Sequence, residues 1–184
     1  RDPEMSRGLG DVYKRQFGKN LIEGILKIAI FIGYTALTAL TKDIRRTYEY
    51  HGAEHKTIAC YEHEEELTVE NVKKYTRFHP RCGTSFIFLV LFISIFVNTI
   101  FRVSWASILL RVVIKIALLP IVTGIAYELI RLAGKYDNIF TKIISAPGLW
   151  IQRITTSEPD ESQIECAIAA LKACIPENKE DDKW

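Results

Sequence analysis

Two short polar blocks, YHGAEHK at residues 50–56 and HPRCGTS at residues 79–85, organise this sequence. They contain three of the four histidines and one of the four cysteines in the chain. A long apolar run flanks the pair on each side, one before the first block and one after the second. The candidate metal ligands therefore lie between two candidate membrane-spanning helices, and we expect a metal site at a membrane face.

Composition supports a membrane protein of about one domain. Of the 184 residues 48% are hydrophobic, and they are concentrated in three blocks rather than scattered through amphipathic periods, as they would be in a soluble core. The net charge of +2 and the lack of a dense run of Lys and Arg give no indication of nucleic-acid binding. The four cysteines lack the spacing of a disulfide scaffold, so we expect reduced thiols.

The first sixteen residues, RDPEMSRGLGDVYKRQ, are excluded from the prediction of the fold. They resemble a translated sequencing adapter and show neither a hydrophobic period nor the design of a targeting segment. We interpret residues 1–16 as an adapter-derived artefact. On this interpretation the natural sequence begins upstream of Phe17 and the chain is a fragment.

The apolar blocks predict an all-α, polytopic membrane protein with about three transmembrane helices. These would cover roughly residues 21–41, 84–101 and 112–132 within a membrane domain of residues 17–156. A buried helix of a soluble core is the alternative for the first block. Residues 135–153 predict a helix lying on the membrane surface, with a short fourth span as the alternative.

The C-terminal segment, residues 157–184, predicts an amphipathic helix followed by a charged tail from residue 178. One face of this helix is apolar and should dock on the rest of the protein; it carries Ile164, Ile168, Leu171 and Ile175.

Charge asymmetry predicts the orientation in the membrane. Residues 42–83 hold eight Lys and Arg, whereas the link after the second apolar block holds one or two. By the positive-inside rule, the metal-site loop, residues 42–85, and the C-terminal segment both face the cytoplasm. Cysteines on that side stay reduced, which suits metal binding.

Helical periodicity places the first two histidines together. Hydrophobic and functional residues recur at steps of three and four from Ile44 to Glu62, which predicts a helix over about residues 43–61 that continues from the first span. Thr68 can cap a second, short helix from Val69 to about Arg77.

The segment His51-Gly52-Ala53-Glu54-His55 fits the H-x-x-E-H pattern. Two imidazoles four residues apart on a helix share a face and can bind one cation, and Glu54 can then act as a general base. Taken alone, this pattern is weak, because surface histidines on a solvated helix give the same spacing.

The second block strengthens the interpretation by placing His79 near Cys82. Together with His51 and His55 they can supply the four nitrogen and sulfur ligands of a closed tetrahedral zinc site. If only three of them bind, a position stays open for substrate, as in catalytic sites. An unmetallated structural cluster is the alternative.

Three further residues are reserve ligands or neighbours of the ligands: Cys60, Glu62 and Glu128. Cys60 and Glu62 lie just beyond His55 on the predicted helix. For Glu128 we favour an ion pair with Arg131, three residues on, over a role as carboxylate ligand or partner of the histidines.

With these residues identified, the chain resembles the YqhQ-type family of bacterial membrane proteins from about Phe17 onward. The resemblance rests on both histidine blocks and on four smaller matches, which are Tyr61-Glu62, Tyr127-Glu128 with Arg131, residues 147–150 (PGLW), and Gln152-Arg153 with Thr155-Thr156. It implies a multi-pass protein of the bacterial inner membrane with a metal site at His51, His55, His79 and Cys82. Members are commonly labelled predicted metal-dependent enzymes, without an established reaction. They also carry a longer glycine-rich N-terminal region, which this chain lacks.

Two functions follow as hypotheses, and the sequence leaves open whether the protein is an enzyme. The first is a membrane-embedded hydrolase that uses Zn2+, or another divalent metal, with Glu54 as general base. The second is a non-catalytic scaffold or partner subunit with a structural metal clip. A metal transporter ranks third, because the second span offers only Ser94, Asn98 and Thr99 as polar groups. The expected partners are the lipid bilayer and either another protein or a second copy of the chain; no substrate is indicated.

Overall fold

The computed structural model describes residues 3–100, 107–136 and 138–176, and the chain is all-α over these ranges. Seven helices follow one another, with no strand in the described residues. The helices are α1 Pro3–Thr38, α2 Lys42–Glu62, α3 Val69–Lys73, α4 Gly83–Ile100, α5 Ile108–Lys135, α6 Ile139–Thr155 and α7 Glu161–Cys174. The predicted all-α class is confirmed.

Two of these helices are long and apolar enough to cross a membrane. They are the Gly18–Thr38 part of α1 and the whole of α5, and only 11% and 6% of their most apolar windows are buried inside the protein. Apolar side chains that face outward along a whole helix need a non-aqueous neighbour. The apolar Gly83–Val97 part of α4 is shorter, and Phe101, at the end of the predicted second span, lies outside the described residues. A count of three spans stays a prediction.

The first span does not continue into the histidine helix, and that part of the prediction was wrong. Helix α1 ends at Thr38 and α2 begins at Lys42. Thr41, the residue before α2, has an extended backbone (φ −80°, ψ 140°), which no helix can run through. Periodicity could not show this break, because the apolar and polar helices meet without a Gly or Pro between them.

Helices α2, α3 and α7 share a small hydrophobic core. Ala53 and Cys60 from α2 pack with Val72 of α3 and with Ile164 and Ile168 of α7. The apolar face predicted for the C-terminal helix therefore docks on α2, as expected. Asp160 and Gln163 form a capping box that starts α7, and Thr68 caps α3, which is shorter than predicted.

Helix α6 is amphipathic and packs its buried face on the apolar helices α4, α5 and α1. Gly148 allows a close approach to α4, because a Cβ there would lie 2.6 Å from the Ser85 side chain at the start of α4. The opposite face exposes large apolar side chains, among them Phe140 and Trp150. The C-terminal end of α6 thereby reaches the second polar block, whose first four residues lie in the loop between α3 and α4 and whose last three begin α4.

Candidate metal centre

Helix α2 presents the first two candidate ligands side by side. The ring centroids of His51 and His55 are 4.3 Å apart and the rings meet edge to face, as the spacing of four residues predicted. His55 is buried and His51 is half-buried.

Each of these imidazoles is oriented by a backbone carbonyl. The Nδ1 atom of His51 lies 2.8 Å from the carbonyl oxygen of Thr155, and Nδ1 of His55 lies 2.6 Å from that of Arg77. A carbonyl oxygen only accepts, so Nδ1 carries the proton in both rings and donates it. The Nε2 atoms then stay available to bind a metal, and metal-ligating histidines usually show this tautomer.

Cys82, directly before α4, completes a group of three ligand atoms. Its Sγ lies 3.2 Å from Nε2 of His51, and one ligand atom from each of His51, His55 and Cys82 lies within 4.8 Å of the other two. In a tetrahedral zinc site, with bonds of about 2.3 Å to sulfur and about 2.0 Å to nitrogen, ligand atoms stand about 3.3–3.6 Å apart. The three side chains therefore need only small adjustments to enclose one ion.

Electrostatics favour the thiolate form of Cys82, the form that binds metals. Burial raises the pKa of this thiol, but hydrogen bonds with His51, His55 and Thr84 outweigh burial and lower the pKa to about 5. For His51, burial lowers the pKa, whereas the hydrogen bonds to Cys82 and to the Thr155 carbonyl raise it above its ordinary value overall. A negative sulfur beside oriented nitrogens is the donor set that Zn2+ prefers.

His79 lies beside this group but is engaged elsewhere. Its ring centroid is 5.7 Å from that of His55. Nδ1 accepts a hydrogen bond from the backbone N–H of Arg81 (3.3 Å), and Nε2 lies 3.3 Å from a carboxylate oxygen of Glu62. Glu62 also pairs with the Arg81 guanidinium, and its hydrogen bond with His79 is the largest cause of the lowered pKa of this carboxyl. The structure thus groups three of the four predicted ligands; the role of His79 as a ligand stays a prediction.

The remaining predicted residues fall in three different surroundings. Glu54 is exposed on α2, next to His55 and close enough to His51 to raise its pKa. Cys60 is fully buried in the core shared with α3 and α7, because it lies five residues beyond His55, about 140° round the helix. Glu128 on α5 is exposed and pairs with Arg131 at 3.7 Å, which is the alternative favoured from the sequence. Glu62 contacts His79 and lies outside the group formed by His51, His55 and Cys82.

Two residues of α6 shape the site without having been assigned a role from the sequence. Thr155 supplies the carbonyl that orients His51, and Gln152, fully buried, hydrogen-bonds the backbone of His79. The available signal was that both residues are polar beside apolar ones such as Ile151 and belong to the segments that match the family resemblance. The sequence alone does not show that Thr155 contacts His51 or that Gln152 contacts His79; these contacts follow from the packing of α6 in the folded protein.

Comparison with known proteins assigns the family. The family model described as "Protein of unknown function (DUF1385)" matches residues 3–177. The chain is 42% identical over 155 residues to the "Uncharacterized protein YqhQ" of Bacillus subtilis (strain 168). The aligned part is 84% of this chain and 48% of that relative, so the chain spans about half the relative's length. No solved structure matches. The match over almost the whole chain confirms the resemblance recognised from the two histidine blocks, and the chain belongs to the DUF1385 family.

Proposed function

We propose that the protein is a membrane-associated, metal-dependent hydrolase that holds Zn2+, or another divalent transition metal, on His51, His55 and Cys82. The observation that carries the proposal is the preparation of these side chains for metal binding. Both histidines donate Nδ1–H to backbone carbonyls, Nε2 of His51 lies 3.2 Å from the Cys82 sulfur, and one ligand atom from each of His51, His55 and Cys82 lies within 4.8 Å of the other two. Nearly all metal-ligating histidines donate a hydrogen bond of this kind from the ring nitrogen that does not bind the metal.

The number of ligands favours catalysis over a purely structural site. Structural zinc sites are usually closed by four protein ligands, whereas catalytic sites have three and keep one position open. When bound, the metal would supply a Lewis acid at that open position. The exposed carboxylate of Glu54 lies beside the histidines and is the general base that can accept a proton from an attacking water.

A location at the cytoplasmic face of a bacterial inner membrane is part of the proposal. It is supported by the two long apolar helices with outward-facing side chains and by the Lys- and Arg-rich loop that contains the site. Because α2 follows α1 after only three residues and Cys82 precedes α4, the metal would lie close to the membrane surface. A substrate that is itself in the membrane, or at its surface, would reach such a site directly.

Metal content and coordination test the proposal. Purified protein should contain one equivalent of metal, which a His51→Ala/Cys82→Ala double variant loses. X-ray absorption should show one sulfur, two imidazole nitrogens and an oxygen donor. Glu54→Gln should keep the metal and lose metal-dependent hydrolysis, measured with p-nitrophenyl ester and phosphodiester probes. Stoichiometric metal missing from both samples would refute the metal site, and loss of metal from Glu54→Gln would refute the assigned base.

A non-catalytic metal clip is the second candidate, and one observation favours it. The His79 ring, 5.7 Å from that of His55, lies near enough to become the fourth ligand if it releases Glu62. A closed site of this kind would join α2 to the loop before α4 and would suit a scaffold or partner subunit. It predicts three nitrogens, one sulfur and no oxygen donor in the absorption spectrum.

A further inference from the structure

The side chain of Gln152 on α6 makes an unusual set of contacts for a glutamine. It is fully buried, and its amide nitrogen donates to the carbonyl of His79 (2.6 Å) and to Oγ of Ser85 (2.8 Å). Its amide oxygen accepts from the backbone N–H of His79 (2.9 Å). Both donors and the acceptor are thus used, which makes the contact specific for an amide.

These contacts bracket the sulfur ligand. His79 lies three residues before Cys82, and Ser85 lies three residues after it in the first turn of α4. A buried glutamine that holds both ends of this short segment leaves Cys82 little freedom to move. The cost of leaving buried polar groups without partners keeps the segment in place even without a metal.

The same turn of α6 also positions the nitrogen ligand. Thr155, three residues after Gln152, provides the carbonyl that accepts the Nδ1–H of His51. The backbone of α6 is held here as well, since Thr156 Oγ1 donates to the Gln152 carbonyl at 2.6 Å. One helical turn therefore sets the distance between a sulfur and a nitrogen that come from two different segments, 31 residues apart.

We infer that Gln152 is a positioning residue that holds Cys82 in place against His51, so that the metal site is preformed before the ion arrives. The inference rests on the proposed metal site. It differs from a general structural role because it predicts that the sulfur ligand is affected most: the two histidines lie together on α2, and the carbonyls that orient them belong to Thr155 and Arg77, whereas Gln152 itself contacts the segment that carries Cys82.

Cobalt(II) binding to the whole purified chain tests this selectivity. A Co(II)–thiolate bond gives a charge-transfer band in the near ultraviolet, and the visible bands report the whole coordination sphere. We expect Gln152→Glu, which keeps the shape but loses both donated hydrogen bonds, to bind Co(II) about 10–100-fold more weakly and with a reduced charge-transfer band. Gln152→Leu should behave in the same way. Arg153→Gln, an exposed neighbour on the same helix, is the matched control and should behave like the wild type.

A second measurement needs no metal. Cys82 is 4% exposed, whereas Cys166 on α7 is exposed. In metal-free protein, release of the segment in Gln152→Glu should raise the alkylation rate of Cys82 about tenfold, with Cys166 as internal reference. Circular dichroism shows whether each variant keeps its helices; if Gln152→Leu unfolds, Gln152→Glu carries the test.

The outcomes separate the two proposals. Wild-type Co(II) affinity and an undiminished charge-transfer band in folded Gln152→Glu would overturn the role of Gln152 and leave the metal site intact. Failure of the wild-type protein to take up Co(II) or Zn(II) would overturn the metal site. In that case the alkylation rates decide about Gln152 alone, and equal rates in wild type and variant would overturn its positioning of Cys82.

Discussion

Replacing Gly52 with alanine should destabilise the protein and weaken metal binding at the proposed site, although alanine is the better helix former. Gly52 lies between the two candidate ligands of α2, His51 and His55, where the helix passes over the segment that follows α6. A Cβ at this position would collide with the carbonyl oxygen of Ser157. The oxygen belongs to the backbone and cannot rotate away. Ser157 is also held in place by its backbone N–H, which donates a hydrogen bond to the carbonyl oxygen of Tyr48 at 2.9 Å.

Three opposing contributions decide the sign of the change. Alanine gains about 1 kcal/mol over glycine from helix propensity. Forcing an extra carbon into a packed contact costs about 1–3 kcal/mol, and losing the Ser157–Tyr48 hydrogen bond costs about 0.5–1.5 kcal/mol. The net loss is therefore about 2 kcal/mol, or a fall in Tm of about 4–8 °C for a chain of this size. Because Ser157 follows Thr155 closely, the shift should also disturb the carbonyl that orients His51 and lower metal affinity about tenfold or more.

Thermal unfolding followed by circular dichroism in detergent, together with Co(II) titration, measures both effects. Gly33→Ala is the matched control: Gly33 lies inside α1, and a Cβ added there would have nothing within 4 Å, so only the propensity gain should appear. A Gly52→Ala variant that melts at or above the wild-type temperature and binds Co(II) normally would refute this account of the contact between α2 and residues 156–158.

Three further predictions concern the site itself. His79→Ala should leave Co(II) affinity within about threefold of wild type if the site is open, whereas a loss of about 100-fold would favour the closed clip. In metal-free protein, the thiolate of Cys82 should absorb near 240 nm, and this absorbance should be absent from Cys82→Ser. It should disappear as the pH falls through about 5. If the absorbance instead changes only near pH 9.0, the ordinary pKa of a thiol, the pairing of Cys82 with His51 would be contradicted. The sign follows from the lowered pKa: the thiolate stabilises the fold fully above the ordinary pKa of 9.0, and this contribution is lost as the pH falls through about 5. Glu128→Gln should change neither metal content nor affinity, because the Glu128 carboxylate pairs with Arg131; metal loss would restore Glu128 as a ligand candidate.

The sequence by itself predicted the features that depend on local spacing. Apolar runs indicated the all-α class and the two long apolar helices, and the step of four residues placed His51 and His55 on one face of α2. The same logic located the apolar face of α7, and Ile164 and Ile168 dock as expected. These features depend on helix geometry alone, which is set within a few residues of chain.

The tertiary structure decided which candidate ligands meet. Cys60 is closer to His55 in sequence than Cys82 is, yet it faces the core, while Cys82 reaches His51 from 31 residues away. His79, only three residues from Cys82, turns to Glu62 instead. These outcomes depend on contacts between α6 and two distant segments, through Thr155 with His51 and through Gln152 with the backbone of His79. The partners in these two contacts are 104 and 73 residues apart in the sequence. Such contacts depend on how whole helices pack, so local periodicity in the sequence cannot predict them.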